Sequence, residues 1–209
     1  MVRTKPFEEH PRLYEDWFEN NRFVYGSELQ AVKAQLPQSG RGVEIGVGSG
    51  RFAAPLGIKI GLEPAVAMRA MARDRGIEVI GGAAEALPFK DCAFDFSLMV
   101  TTICFVDNAE AAVREAYRIL KSSGSLLIGF IAKDSLIGKS YLRRRHKSLF
   151  YGIATFYSVD EVVNCLRKTG FRDLRFSQTI FHPLNEITRI EPIKEGYGEG
   201  SFVVIHARK

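Results

Sequence analysis

Gly46, Gly48 and Gly50 fall at alternate positions in Val43-Glu44-Ile45-Gly46-Val47-Gly48-Ser49-Gly50-Arg51, just after the acidic Glu44. Glycine carries no Cβ, so such a loop turns sharply and lets a ligand approach the main chain. Where a strand runs into a helix, that is the chemistry of a nucleotide-like ligand. A phosphate-cradling P-loop needs Gly-Lys-Ser/Thr, and none follows. Gly48-Ser49-Gly50-Arg51-Phe52-Ala53 fits the looser dinucleotide fingerprint GxGxxA, so a nicotinamide-dependent oxidoreductase is one reading. The other is an acidic residue followed by GxGxG. An anionic pyrophosphate gains nothing from Glu44 beside it. Two further carboxylates come later: Glu63 at a strand end in Gly61-Leu62-Glu63-Pro64, and Glu85 in the stretch Gly82-Ala83-Ala84-Glu85-Ala86-Leu87-Pro88-Phe89 that follows the next strand. One carboxylate has two oxygens and accepts two hydroxyl donors at once.

Other reactive side chains form no constellation. Cys104 follows an apolar run and has the chemistry of a covalent nucleophile, but without a supporting motif it reads as a small buried hydrophobe. Cys92, Cys104 and Cys165 make no metal-ligand spacing, and His10, His146, His182 and His206 share no motif, so no metal site is predicted. No catalytic acid or base can be assigned. The block Lys139-Ser140-Tyr141-Leu142-Arg143-Arg144-Arg145-His146-Lys147 reads first as a solvated cap face, with an acidic partner or acceptor as the sharper reading.

These residues need a scaffold, and the apolar pattern supplies one. Strands are predicted at 41–47, 58–63, 77–80, 93–101, 125–132, 171–180 and 201–207, with a helix start at 51–56 and helices at 65–75, 108–120 and 158–169. Asn108 is a plausible N-cap, Ser158 with Glu161 a capping box, and Gly170 a helix-ending glycine. Alternating strands and helices give an α/β three-layer sandwich around a mostly parallel seven-stranded sheet, with the last strand antiparallel. Residues 1–40 form an N-terminal helical segment in which Tyr14, Trp17 and Tyr25 either pack on the sheet or cover a ligand. Residues 133–157 form a cap insertion, and 181–200 is irregular. One domain over 1–209 is expected, able to bury about 70% of its surface without a disulfide. With 46% hydrophobic and 25% charged residues, the chain is not disordered. No apolar run spans a bilayer and no secretory signal core opens the chain, so a cytoplasmic location is expected.

In order along 40–171, these motifs resemble the class I S-adenosylmethionine (SAM) dependent methyltransferases. Phe94-Asp95-Phe96-Ser97-Leu98-Met99 is similar to their fourth-strand motif, and Arg114-Glu115-Ala116-Tyr117-Arg118-Ile119-Leu120-Lys121 to their REAxRVLK segment. The resemblance implies that SAM is the methyl donor and S-adenosylhomocysteine the product. It implies Glu63 on the ribose hydroxyls, with Pro64 following, and Gly46, Val47, Gly48 and Gly50 along the ligand. It puts Glu44 toward the methionine ammonium, directly or through water, and Thr101 toward the methionine part. Ala84 and Glu85 lie in the family's GDAExLPF stretch. Ala83 replaces its Asp, so only the backbone contact at Ala84 to adenine carries over. SAM is a net cation, and Glu44 and Glu63 supply acid to receive it. No Asn/Asp-Pro-Pro-Tyr follows the fourth strand, against methylation of base or glutamine amides. The length favours a small-molecule acceptor. A non-catalytic SAM-binding protein and a methyltransferase of RNA or protein are the other readings. The basic block keeps nucleic acid open, although outside 133–175 the charges nearly cancel. Within that stretch ten Lys or Arg face four Asp or Glu.

Overall fold

Alternate residues of the long strands feed two apolar layers, one on each face of a single sheet. In β8 (Phe202–Arg208), Val203, Ile205 and Ala207 join one layer, while Phe202 and Val204 join the other. β5 (Leu120–Ile131) divides in the same way, with Leu126, Ile128 and Phe130 opposite Leu127. This is the period-two pattern of a sheet covered on both sides. The structure, a computed structural model, describes residues 3–209; the first two residues of the predicted N-terminal segment lie outside them.

β1 (Gly42–Ile45) is flanked in parallel by β2 (Ile60–Leu62) and β4 (Phe94–Val100). β3 (Glu78–Ile80) extends the sheet beyond β2, and β5 extends it beyond β4. β8 lies antiparallel between β5 and β6 (Arg172–Thr179), and β7 (Lys194–Glu195) closes that edge. The order is β3-β2-β1-β4-β5-β8-β6-β7. The predicted architecture holds, with eight strands in place of seven. The extra β7 falls inside the stretch read as irregular: two exposed charged residues carry no alternation to betray a strand.

α1 (Lys5–Glu9), α2 (Pro11–Asn20) and α3 (Arg22–Gln35) make up the N-terminal segment; α3 packs against β5, β6 and β8. α4 (Val66–Asp74) lies against β3. α5 (Ala109–Ile119) and α7 (Val159–Thr169) pack together and carry the other layer. α6 (Leu136–Arg144) is the cap helix. The capping box at Ser158 and Glu161 is formed, and Gly170 ends α7 with φ +108°. The helix start at 51–56 is corrected: it is a run of turns with two helix-like bonds, from Ala54 N–H to Gly50 and from Leu56 N–H to Phe52. Pro55 has no N–H to continue it, and Gly57 turns away at φ +74°. Among the described residues no helix is long and apolar enough to cross a membrane.

Candidate functional site

The loop after β1 is shaped by its glycines, each for its own reason. Gly46, Gly48 and Gly50 have φ of +72°, +55° and +86°. A Cβ on Gly46 would lie 2.4 Å from Thr102 Cγ2, and one on Gly50 would lie 2.5 Å from Ile77 Cδ1. Gly48 faces the Tyr14 hydroxyl. The amides of Gly46 and Val47 both donate to the Leu62 carbonyl at 2.8 and 2.9 Å, which brings the loop over the end of β2.

Glu63 follows β2 directly. Its two oxygens accept the N–H groups of Gly48 (2.9 Å) and Ala65 (2.8 Å), so it joins the glycine loop to the start of α4. It is only 7% exposed. Burial pushes its carboxyl up to about 7, against the opposing pull of those two amides. Across the crevice, Thr101 follows β4 directly with φ +50°, rare for a β-branched residue. Its amide donates to Gly129 at 2.7 Å. Ala84 and Glu85 come from the loop after β3. Glu85 accepts the amides of Asp107 (2.7 Å) and Asn108 (3.2 Å) at the entrance to α5. α5 holds that loop further: Glu115 accepts the Leu87 amide (2.7 Å), and Arg118 donates to the Leu87 and Phe89 carbonyls. The Glu115 and Arg118 positions of the REAxR segment thus act as a clamp.

Gly46, Gly48, Glu63, Pro64, Ala84, Glu85 and Thr101 meet around one crevice. Glu44, Val47 and Gly50 lie outside its lining. Val47 packs its side chain over Gly61, and Gly50 packs on Ala72 and Ile77. Glu44 is 1% exposed, and its Oε2 has no hydrogen-bond partner. Burial pushes this carboxyl well up, although the Ala53 amide bonds to it.

The N-terminal segment packs on the core and also borders the crevice. It packs: Glu15 pairs with Arg51 and Arg75, and the Tyr25 hydroxyl donates to the Arg51 carbonyl. It also covers: Arg3, Thr4, Phe7 and Tyr14 line the crevice. Glu8 accepts the amides of Val66 (2.6 Å) and Ala67 (3.0 Å), capping an α4 whose own N-cap, Ala65, offers no side chain. Burial and the nearby Glu63 and Glu44 charges raise the Tyr14 hydroxyl, so it stays protonated. Sequence reasoning missed Arg3, Thr4 and Phe7. Nothing local marks them, because their partners are far along the chain.

A second cavity, of about 500 Å³, adjoins the first and shares Phe7, Tyr14, Thr101 and Phe105 with it. Trp17 and Phe18 of α2, Tyr141 of α6, and Phe150 and Tyr151 wall it, and Leu184 reaches it from the 181–200 stretch. Glu28 of α3 also lines it, buried. In the basic block, Arg143, Arg144, Arg145 and His146 are exposed, and of the charged side chains only Lys147 borders the cavity. Cys104 is buried, donates its thiol to the Thr101 carbonyl, and is pushed up to about 12 by burial, the opposite of an activated nucleophile.

A doubly covered, mostly parallel sheet with a glycine loop, Glu63 after β2 and Glu85 in the loop after β3 around one crevice defines a nucleoside-binding α/β protein. The comparisons make the class specific. Residues 43–128 match the methyltransferase domain family. A crystal structure from Thermotoga maritima, described as a SAM-dependent methyltransferase and possible histamine N-methyltransferase, is 54% identical, covers 99% of each chain and superposes with a TM-score of 0.97. An uncharacterised protein of Methanocaldococcus jannaschii is 45% identical over 97% of this chain and 98% of its own. A Haemonchus contortus phosphoethanolamine methyltransferase with S-adenosylhomocysteine bound shares the fold (TM-score 0.63, 17% identity, 88% of this chain and 52% of that one). The chain belongs to the class I SAM-dependent methyltransferases. It is an enzyme of that family, and SAM is its cofactor.

Proposed function

We propose that the protein methylates a small molecule held in the 500 Å³ cavity. The carrying observation is the junction of that cavity with the crevice through Phe7, Tyr14, Thr101 and Phe105. When bound, SAM supplies a sulfonium methyl that an acceptor atom displaces in line, leaving S-adenosylhomocysteine. The residues have to align the partners and exclude water. Glu63 accepts the ribose hydroxyls on the lone pairs that Gly48 and Ala65 leave free. The Ala84 backbone meets the adenine edge. Glu85 holds the loop beneath that contact through Asp107 and Asn108. Gly46 and Gly48 let the methionine part lie against the main chain, opposite Thr101. Glu44, beneath the loop, supplies negative potential toward the ammonium, with Val47 and Gly50 keeping the loop in place. The aromatic walls of the second cavity keep water from the transfer.

The crevice is about 90 Å³, against roughly 300–1,000 Å³ for ligand pockets in general. Arg3, Thr4 and Phe7 therefore act as a lid that shifts to admit the cofactor. We place the activity in the reducing cytoplasm, in keeping with three free cysteines. Calorimetry with SAM and S-adenosylhomocysteine, followed by methyl-labelled SAM with a metabolite panel that includes histamine, tests the reading. Micromolar cofactor binding and a labelled small product support it. No binding of S-adenosylhomocysteine overturns it.

A further inference from the structure

Glu28 is the unexplained charge of the acceptor cavity. It is 4% exposed, sits on α3 and faces the cavity, whose walls mix aromatic rings with aliphatic side chains and a few polar groups. Among the described residues no side chain or amide hydrogen-bonds to its carboxylate, and no cation pairs with it. Its carboxylate opens onto the cavity and not onto a protein partner, so whatever occupies the cavity meets an acceptor already stripped of most of its solvent. Its neighbour Ser27 shows the contrast: equally buried, it is satisfied by Phe23 and Glu191.

We infer that Glu28 is the specificity-determining residue of the acceptor site, and that the acceptor is a small amine whose cationic N–H group donates to this carboxylate. The inference rests on the methyltransferase reading and deepens it. The surroundings fit that class. The rings of Tyr14, Trp17, Tyr141 and Tyr151 stand in the same cavity, and ring faces attract an ammonium as well as enclosing its apolar body. The mouth carries the exposed Leu13 and Leu149, with Asp16 and Lys147 as the other charged groups. Glu28 interacts electrostatically with the hydroxyls of Tyr14, Tyr141 and Tyr151, raising each. Burial alone pushes its own carboxyl up to about 8. The empty site therefore holds a proton near neutral pH, and an entering ammonium releases it to solvent as the ion pair forms. No covalent change is involved at Glu28.

The test uses the full chain saturated with S-adenosylhomocysteine, titrated calorimetrically with 2-phenylethylamine and tyramine and with their alcohols, 2-phenylethanol and tyrosol. Wild type is expected to prefer an amine by roughly tenfold to a hundredfold, the size of a charge-assisted hydrogen bond. It should release a proton on binding at pH 7, read from buffers of different ionisation enthalpy. Glu28→Gln should abolish both the preference and the proton release while keeping S-adenosylhomocysteine affinity within about twofold. Glu28→Leu serves as a second variant; both should fold, because each removes an unpartnered buried acid. Equal binding of amine and alcohol by wild type, or an amine preference that survives Glu28→Gln, overturns the inference. A fall in S-adenosylhomocysteine affinity in Glu28→Gln overturns it too, by giving the carboxylate to the cofactor. Loss of S-adenosylhomocysteine binding by wild type would instead sink the methyltransferase reading itself, and this inference with it.

Discussion

Cofactor affinity should depend on pH through Glu63. The proposed ribose contact needs the ionised carboxylate, because two hydroxyl donors call for acceptor lone pairs on both oxygens. Burial holds that carboxyl at about 7 in the ligand-free protein. Binding favours the charged form, so affinity follows the ionised fraction. That fraction is about ten-elevenths at pH 8 and about one-eleventh at pH 6. Affinity for S-adenosylhomocysteine is therefore expected to fall about tenfold, or about 1.4 kcal/mol, between those values. Calorimetry across pH 6–8.5 measures it. Other groups in reach are Glu44, Glu8, Arg69 and Tyr14, and of these Glu44 and Tyr14 are also raised. Glu63→Gln separates them. It should bind at least tenfold more weakly at pH 8, since the amide turns one donor toward Gly48 or Ala65, and its affinity should be nearly flat with pH. A wild-type affinity that does not change with pH, or a variant that keeps the wild-type slope, refutes the reasoning.

Five further outcomes are expected. Gly46→Ala combines a left-handed φ with a 2.4 Å approach to Thr102, so it should cost about 2–4 kcal/mol by denaturant melts. Gly57→Ala, with φ +74° and nothing within 4 Å, should cost only the conformational part, about 1–2 kcal/mol. Glu8→Ala removes the cap that α1 lends α4; it should cost about 0.5–2 kcal/mol and speed hydrogen exchange at the Val66 and Ala67 amides. In the native protein at pH 8, Ellman's reagent should label the exposed Cys92 quickly and spare the buried Cys104 and Cys165, and Cys104→Ala should keep methyl transfer. Finally, Glu28 binds its proton more tightly in the folded chain, at about 8 against an ordinary 4.5. Its contribution to stability therefore falls as pH rises through that window. Glu28→Gln should raise the melting temperature more at pH 8.5 than at pH 5, and an equal change at both would refute this.

The sequence legible by local spacing became structure almost unchanged. The glycine loop, the capping box at Ser158 and Glu161, the Gly170 stop and the doubly covered strands each depend on residues within a turn or a strand of one another. Their physics is local, so their pattern is enough. The turn at 51–57 shows the limit: apolar residues suggested a helix, and Pro55 allowed only turns. β7 shows another, since two charged residues become a strand only because Ser177 and Gln178 of β6 offer an edge.

By itself, then, the sequence determined the layered α/β fold, the glycine loop after β1 and the place of Glu63 after the second strand. What only tertiary structure decided lies in contacts between distant segments. Glu8 caps a helix 58 residues away, Tyr14 covers Gly48, and α5 clamps the loop after β3. Glu44, which reads as a ligand-facing acid, is tucked under the loop it precedes. Glu28, which reads as one more polar residue on an N-terminal helix, faces an aromatic cavity built from α2, α6 and the residues after it. Burial is a property of the whole packed chain, and burial is what raises the carboxyl of an otherwise ordinary glutamate in that cavity.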